Sequence, residues 1–178
     1  MKVLQLLPIG GPHGPLMDWL REELSEAFHI PCEVINPPLR PDFAFHSERG
    51  QYHSSELLAR MQQHVTWRTW RVLGVTPVDL YIPILTFVFG EAQMGGKCSV
   101  VSYSRLRQEF YGLPADTNVL ARRLLVESVH ELGHTLDLHH CDNYQCVMSS
   151  SHAVEWIDIK DHRFCQECAA RARDLASK

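Results

Sequence analysis

The segment 130–141 carries the residue types of a catalytic metal site in a spacing that an α-helix can use. It reads HELGHTLDLHHC, in which His130 and His134 are four residues apart and Glu131 follows the first histidine. Residues four apart lie on one face of an α-helix, about 6 Å apart along its axis, so both imidazoles can bind one tetrahedral zinc ion. Glu131 would stand beside them, where it could take a proton from a water molecule on the zinc. A solvated or hydrogen-bonded pair of helix histidines is the alternative for these residues alone.

The third ligand of such a site would come from the residues that follow His134. His140 lies six residues further on, and its position next to Cys141 favours it as that ligand. Asp137 and His139 are the other candidates. Asp137 could instead cap the helix end. It could also interact with the imidazole of a zinc ligand without binding the metal itself. Three protein ligands and one open position are typical of a catalytic zinc site rather than a structural one.

The residues around the first two histidines predict an amphipathic helix. Apolar side chains recur at helical spacing at Leu125, Val129, Leu132 and Leu136. The helix is expected to start within 114–117, with Asp116 or Thr117 as its N-cap. His130 and His134 would then lie in its last two turns.

Four of the six cysteines lie near the C-terminal end of the chain. Cys141 and Cys146 form one pair, and Cys165 and Cys168 form a CxxC. Two such pairs separated by a loop are typical of a closed, tetrahedral four-cysteine zinc site, with disulfides as the alternative. Successive side chains of an extended chain point to opposite sides. His140 could therefore face the catalytic metal while Cys141 faces the second one.

Together these residues resemble the archaemetzincins, a family within the metzincin clan of zinc peptidases. The family pattern is HExxHxxGxxHC, followed by a cysteine, a methionine and a distal CxxC. The chain matches this pattern at nine positions, His130, Glu131, His134, His140, Cys141, Cys146, Met148, Cys165 and Cys168. The resemblance implies that Glu131 is the general base and acid, and that a catalytic zinc is bound by His130, His134 and His140. It also implies a Met-turn beneath the histidines at Met148, and a structural zinc on Cys141, Cys146, Cys165 and Cys168.

The chain departs from the family pattern at Asp137, where the family has glycine. That glycine ends the helix in a left-handed backbone conformation, which lets the chain swing back. Aspartate tolerates this conformation less well than glycine, so the turn is expected to form at a cost of about 1 kcal/mol.

The elements that must position these groups predict an α/β (α+β) fold, with a mixed twisted sheet packed on helices. One domain is expected over residues 1–178, with a sheet-and-helix part at 1–113 and the active-site helix, Met-turn and cysteine-rich part at 114–178. The predicted strands cover residues 3–9, 31–35, 79–85, 87–89 and 98–103, and residues 36–51 are a predicted loop. Besides the active-site helix, three helices are predicted: one with Pro15 at its first position, one with Ser54 or Ser55 as its N-cap, and one from Cys165. They end near residues 28, 71 and 176.

Composition bounds the classes of partner. The hydrophobic content of 45% and charged content of 21% are ordinary for a globular protein, and the net charge of −4 gives no support for nucleic-acid binding. No apolar run approaches the about 18 residues of a membrane span, and the N-terminal run is too short for a signal peptide. We therefore expect a cytoplasmic monomer with neither nucleic-acid nor membrane partners.

The histidines outside the motif show no ligand-like spacing and are interpreted as surface or packing residues. They lie at positions 13, 29, 46, 53, 64, 152 and 162. The family resemblance implies a further role for His152 and Trp156, which could border the pocket for substrate side chains.

The function expected from these residues is zinc-dependent hydrolysis of peptide bonds, with two zinc ions per chain. Glu131 would accept a proton from the attacking water and then deliver it to the leaving amine. A strand edge at 87–89 could align the peptide by main-chain hydrogen bonds. Few residues remain for a lid over the site, so short peptides are the expected substrates. Cleavage within a peptide and cleavage from its amino end both stay open, as does action on a non-peptide amide. The alternative is a zinc-stabilised binding or scaffold protein with weak or no peptidase activity, for which Asp137 is the main argument.

Overall fold

A computed structural model describes residues 1–176 of the chain. The strands within these residues are β1 (Val3–Pro8), β2 (Cys32–Val34), β3 (Phe45–His46), β4 (Gln51–His53), β5 (Thr69–Thr76), β6 (Leu80–Tyr81), β7 (Gly90–Ala92) and β8 (Cys98–Ser102). The α-helices are α1 (Gly14–Phe28), α2 (Ser54–Met61), α3 (Thr117–Thr135), α4 (Val154–Ile159) and α5 (Gln166–Ala176). Residues 177 and 178 of the predicted domain lie outside the described residues.

A five-stranded mixed sheet lies at the centre of the fold, with the strand order β2-β1-β5-β8-β7. The first four of these strands run parallel, whereas β7 is antiparallel to β8 and forms one edge of the sheet. A second, three-stranded sheet has the order β3-β4-β6. The predicted mixed sheet packed on helices is therefore present.

Helices cover both faces of the five-stranded sheet. α1 and α3 pack on one face, in a core that includes Leu6 and Leu24. α2 packs on the other face, in a second core that includes Leu7 and Met61. Neighbouring residues of a strand point to opposite faces, so Leu6 and Leu7 of β1 enter different cores. Burial on both faces explains why the central strands are mostly apolar and show no regular alternation of apolar and polar residues.

The central strand β5 corrects one prediction. The helix predicted from Ser54 or Ser55 to about residue 71 ends as an α-helix at Met61, and β5 begins at Thr69. The prediction was wrong because it carried the helical pattern into 69–71, the start of a strand in which Thr69, Val72, Val75 and Thr76 are β-branched and favour strands.

Three other predictions also need correction. The apolar runs at 79–85 and 87–89 form a strand only at β6, and Pro83, which has no backbone N–H to donate to a ladder, follows that strand closely. Residues 36–51, predicted as a loop, contain β3 and the start of β4. The helix α4 was not predicted from the sequence.

The helix α3 is fixed at both ends. Asp116, one of the two predicted N-caps, accepts hydrogen bonds of 2.9 and 3.0 Å from two backbone N–H groups of the first turn. At the other end, Arg71 of β5 donates to the hydroxyl of Thr135 at 2.9 Å and to its carbonyl at 3.1 Å. His130 and His134 lie in the last two turns, as predicted, and the sheet sets their position.

Candidate active site

The chain turns sharply after α3 at Asp137. This residue has φ of 61°, in the left-handed region. Its N–H donates to the carbonyl of His134 at 2.9 Å, and the N–H of Leu138 donates to the carbonyl of Gly133 at 3.1 Å. These two bonds are those of a Schellman helix end. Asp137 thus adopts the conformation expected of the family glycine, and the chain returns toward the histidines.

The imidazoles of His130 and His134 meet through their Nε2 atoms, which are 3.1 Å apart. Each Nδ1 donates a hydrogen bond of 2.7 Å to a backbone carbonyl, His130 to Val147 and His134 to Leu138. A neutral imidazole carries one proton, so each Nε2 has a free lone pair and the two lone pairs converge. Two nitrogens bound to a tetrahedral zinc at about 2.05 Å would lie about 3.3 Å apart, so this pair fits that ion.

Burial keeps the histidine rings neutral. It lowers the pKa of His130 well below its ordinary value, and the positive charge of Lys160 lowers this pKa further. Burial also lowers the pKa of His134 and that of His140. A neutral ring is the form that binds a metal, so the surroundings favour the protonation state that the site requires.

His140 joins the same group. Its ring centroid is 5.4 Å from that of His130 and 5.0 Å from that of His134, and one ligand nitrogen from each ring lies within 4.8 Å of the others. The two other candidates for the third ligand, Asp137 and His139, are exposed and are not members of this group. Asp137 lies beside the turn that precedes β8 instead.

Glu131 is buried beside the histidines, against the edge strand β7. A side chain at Gly90 of β7 would place its first carbon 2.7 Å from both Cγ and Oε1 of Glu131, so only glycine leaves room for the carboxylate. Burial raises the pKa of Glu131 well above its ordinary value, the charges of Glu127 and Glu91 act in the same direction, and Lys160 opposes them. A raised pKa suits a carboxylate that must accept a proton near neutral pH.

A buried pair of opposite charges adjoins the site. Lys160 Nζ lies 3.9 Å from Glu127 Oε1, and the two side chains are 0% and 4% exposed. Burial raises the pKa of Glu127 to about 7, while the charge of Lys160 opposes that rise. Among the described residues, Glu127 Oε1 has no hydrogen-bond partner. Lys160 thus faces the carboxylates of α3. Burial lowers the pKa of Lys160, while the charges of Glu127 and Glu131 raise it.

A tight turn around Met148 packs against α3. The N–H of Ser149 donates to the carbonyl of Cys146 at 3.0 Å, which closes the turn. Met148 is fully buried, and its sulfur lies so close to Gly133 that any side chain at position 133 would overlap it. The N–H of Cys141 donates to the carbonyl of Met148 at 3.0 Å, so the turn also holds the segment that follows the histidines.

A cleft of about 510 Å³ opens over these groups. One wall is formed by residues 85–92, another side by residues 150–152, and the histidines and carboxylates of α3 lie between them. The predicted strand edge at 87–89 lies in this wall, but the edge strand itself is Gly90–Ala92. His152 borders the cleft as the resemblance implied, whereas Trp156 is not among its lining residues.

The four C-terminal cysteines form a second group, separate from the histidines. Their sulfur atoms all lie within 4.8 Å of one another, and those of Cys141 and Cys165 are 3.9 Å apart. Two sulfurs bound to a tetrahedral zinc at about 2.3 Å would lie about 3.8 Å apart, so the spacing fits that ion. All four are free thiols rather than disulfides. A hydrogen bond from the backbone of Cys168 lowers the pKa of Cys165, whereas burial raises the pKa of Cys146 and that of Cys168.

Three charged groups of the site were not identified from the sequence. Glu127 lies one helical turn before Glu131, and this spacing of four could have revealed it. Lys160 and Glu91 come from other parts of the chain and had no such signal.

The start of α2 also contacts the cleft in a way that the sequence did not predict. Ser54 and Ser55 were proposed as N-caps of this helix, but the N-cap is His53. The hydroxyls of both serines donate to the carboxylate of Glu91, with 2.8 Å between Ser55 Oγ and Glu91 Oε1. They therefore fix a carboxylate of the cleft wall.

Comparison with known proteins assigns the fold and the site to a family. A sequence model of peptidase family M54 matches residues 40–174. The chain belongs to this family. Its relatives in family M54 include the archaemetzincin of Methanocaldococcus jannaschii, which is 40% identical over 167 residues that cover 94% of this chain and 90% of that protein. The archaemetzincin of Pyrococcus furiosus is 34% identical, over 95% of this chain and 91% of its own length.

Solved structures of M54 relatives have the same fold. The crystal structure of archaemetzincin from Methanopyrus kandleri superposes with a TM-score of 0.84 at 33% identity, covering 99% of this chain and 96% of that one. A zinc-dependent peptidase from Methanocorpusculum labreanum gives 0.84 at 31% identity, over 95% and 99% of the two chains. These comparisons confirm the resemblance and the fold class, and they make the chain a zinc metallopeptidase rather than the alternative scaffold protein.

Proposed function

We propose that His130, His134 and His140 hold the catalytic zinc ion and that Glu131 is the general base of peptide hydrolysis. The observation that carries this proposal is the 3.1 Å approach of two Nε2 atoms whose rings already donate through Nδ1. Two lone pairs that face each other this closely repel, and a cation between them would remove that repulsion. His140 supplies the third nitrogen, which leaves one tetrahedral position for water and substrate.

Zinc bound to these histidines would lower the pKa of a water molecule and polarise the carbonyl of the scissile peptide. Glu131 takes the proton of the attacking water on its carboxylate, for which its raised pKa suits it. The same carboxylate then delivers this proton to the nitrogen of the leaving amine. The packing of Glu131 against Gly90 fixes the carboxylate in one place for both transfers.

The edge strand β7 would align the substrate. It lies at the edge of the five-stranded sheet and in the cleft wall, so an extended peptide can add to it by main-chain hydrogen bonds. The preceding residues of the wall include Phe87 and Phe89, whose rings pack edge to face with centroids 5.0 Å apart. The partly exposed ring of Phe87 would contact an apolar side chain of the peptide, while the buried Phe89 supports it.

The four cysteines would hold a second, structural zinc, which gives about two zinc ions per chain. The two sites would share one peptide bond, because His140 belongs to the histidine group and Cys141 to the cysteine group. Met148 would be the Met-turn methionine that the resemblance implies, since its turn packs against α3 next to the histidines.

Replacement of the general base tests the proposed mechanism. Glu131→Gln should lower the rate of peptide cleavage by about 10² to 10⁴-fold, while the zinc content of the protein stays unchanged. The exposed Glu26 of α1 offers a matched control, because Glu26→Gln makes the same chemical change away from the cleft. Cleavage of a peptide library by wild type would also report the preferred side chains and distinguish internal from amino-terminal cleavage. Unchanged turnover in Glu131→Gln would remove Glu131 from the mechanism.

The identity of the third ligand has a test of its own. His140→Ala should lower the zinc content of the purified protein by about one equivalent and abolish peptidase activity. Asp137→Ala should keep both equivalents, because the carboxylate is exposed and outside the histidine group. Loss of one zinc equivalent in Asp137→Ala but not in His140→Ala would make Asp137 the third ligand instead of His140.

Location and assembly stay predictions from the sequence. Across residues 1–176, no helix combines the length and the apolar character that crossing a bilayer requires. The cytoplasmic location, the monomeric state and the absence of nucleic-acid partners are each open to direct measurement.

A further inference from the structure

A third group of metal-ligating side chains lies on the small sheet, away from the histidine triad and the cysteines. It consists of His46 of β3, His53 of β4 and Glu56 in the first turn of α2. One ligand atom from each side chain lies within 4.8 Å of the other two. The hairpin that joins β3 to β4 and the first turn of α2 bring these residues together, which is why their spacing along the sequence gave no signal.

The distances within this group are close to those of a metal shell. Glu56 Oε1 lies 3.1 Å from His53 Nδ1 and 3.5 Å from His46 Nε2. Nitrogen and oxygen ligands at about 2.0–2.2 Å from a tetrahedral ion would be about 3.3–3.6 Å apart. Two of the three ligand–ligand distances thus lie within a few tenths of an ångström of those in a metal shell, and the two histidine ligand atoms lie within 4.8 Å of each other.

Both imidazoles are held in place by one buried ring. The ring of His53 stacks on Tyr81 with centroids 5.2 Å apart, and the ring of His46 meets Tyr81 edge to face at 5.4 Å. Tyr81 is 4% exposed, and the guanidinium of Arg49 lies 4.0 Å from the centre of its ring. Because these contacts already order the ligand rings, metal binding would cost little further side-chain entropy.

The donor set selects the class of ion. Two imidazole nitrogens and one carboxylate oxygen suit zinc and neighbouring transition metals such as nickel or copper, whereas magnesium and calcium prefer oxygen ligands alone. The carboxylate also supplies a negative charge that two neutral imidazoles lack. Partial exposure of all three side chains leaves the remaining coordination positions open to water.

We propose that His46, His53 and Glu56 form an accessory site for a divalent transition-metal ion, and zinc is the ion used to test it. The site is independent of the proposed catalytic and structural zinc sites and shares no residue with them. It joins the β3–β4 hairpin to the first turn of α2, the turn whose serines hold Glu91 in the cleft wall.

Zinc titration of the intact protein tests this proposal. The protein is loaded with zinc, dialysed against zinc-free buffer so that the tightly bound ions remain, and titrated with zinc chloride in a calorimeter. Wild type should bind about one further equivalent of zinc. His46→Gln and Glu56→Gln should each weaken this binding by at least about tenfold, because each removes one of three ligands. A parallel titration with magnesium chloride should give no binding.

His13 provides the matched control, since it is an exposed histidine at the start of α1 whose side chain forms no cap hydrogen bond. His13→Gln should bind the additional zinc as wild type does. Circular dichroism of each variant shows whether it is folded. The amount of zinc that remains after dialysis shows whether the proposed catalytic and structural sites are still occupied. The proposal would be overturned if wild type bound no additional zinc, or if both His46→Gln and Glu56→Gln still bound it as wild type does. The three residues would then form a hydrogen-bonded cluster only.

Discussion

The side chains of His130 and Lys160 donate hydrogen bonds to the same oxygen atom, the backbone carbonyl of Val147. The donor–acceptor distances are 2.7 Å for His130 Nδ1 and 3.4 Å for Lys160 Nζ. That carbonyl fixes the tautomer of His130 and directs its Nε2 toward His134. Lys160 thus acts on the proposed metal site through the backbone carbonyl that orients His130, and it is not among the residues that line the cleft.

Lys160→Met should destabilise the fold and disturb the site together. Methionine has a similar shape but leaves Glu127 buried without its cation, so we expect the free energy of unfolding to fall by about 3 kcal/mol. Chemical denaturation of the zinc-loaded protein measures this loss. The affinity for catalytic zinc, measured by competition with a chelator, should fall by about 10- to 100-fold, as for other groups that orient a ligand.

The double variant Lys160→Met/Glu127→Gln separates the two effects. Removing the charge of Glu127 as well should restore part of the stability, because no unpaired carboxylate remains buried. It should not restore the zinc affinity, since Val147 still lacks its second donor. A full recovery of both quantities would show that Lys160 serves only to neutralise Glu127.

Gly133→Ala should destabilise the protein although alanine favours helices. The intrinsic preference of alanine contributes about 1 kcal/mol, but the added methyl overlaps the sulfur of Met148. We expect a net loss of about 1–2 kcal/mol in thermal or chemical unfolding, as for other overpacked cores. Met148→Ala in the same chain should remove the overlap, and a double-mutant cycle would then show favourable coupling. Additive effects would mean that the two residues do not meet.

Asp137→Gly should stabilise the protein. The backbone at this position has φ of 61°, where glycine avoids a steric cost of about 1 kcal/mol that aspartate bears. Denaturation midpoints of the two forms measure the difference, and zinc content and peptidase activity should be retained. Asp137→Ala provides the contrast, because alanine tolerates this conformation less well than aspartate. Equal stability of all three forms would show that the turn carries no strain.

Cys165→Ser should remove the structural zinc while the histidine triad keeps its own. We expect total zinc to fall by about one equivalent, and the melting temperature of the isolated protein to fall with it, because structural zinc contributes folding free energy directly. Atomic absorption and a thermal scan measure the two quantities. Cys98→Ser changes a buried cysteine outside the group, and this control should keep both zinc equivalents.

The residues that could be read from the sequence are those whose chemistry is local to one helix or one motif. His130, Glu131 and His134 lie on a single amphipathic helix, so helical periodicity alone places them together. Lys160 could not be found in this way, because it reaches α3 from the end of α4 and its burial depends on the assembled core. His46 and His53 were interpreted as separate residues, since their proximity requires a hairpin within a stretch predicted to be a loop.

The helices and strands were likewise predictable only where local sequence signals mark their ends. The strands β1, β2 and β8 and the helices α1 and α3 have turn or cap signals next to them in the sequence. β5 was missed because no glycine or proline marks the boundary between it and α2, although its own β-branched residues favour a strand. β3, β4 and β6 are two or three residues long and are stable only by pairing with each other.

The contact between Cys141 and Cys165 encloses a loop with a sequence separation of 24 residues. That loop contains Val147, Met148 and Lys160. The groups that orient His130 and pack against α3 behind the proposed catalytic site therefore belong to the enclosed segment. A cross-link of this length would remove about 3 kcal/mol of chain entropy from the unfolded state, if a metal bridge acts as a disulfide does. The proposed structural zinc, which does not contact the substrate, would in this way lower the conformational entropy that the chain loses when it folds around the catalytic site.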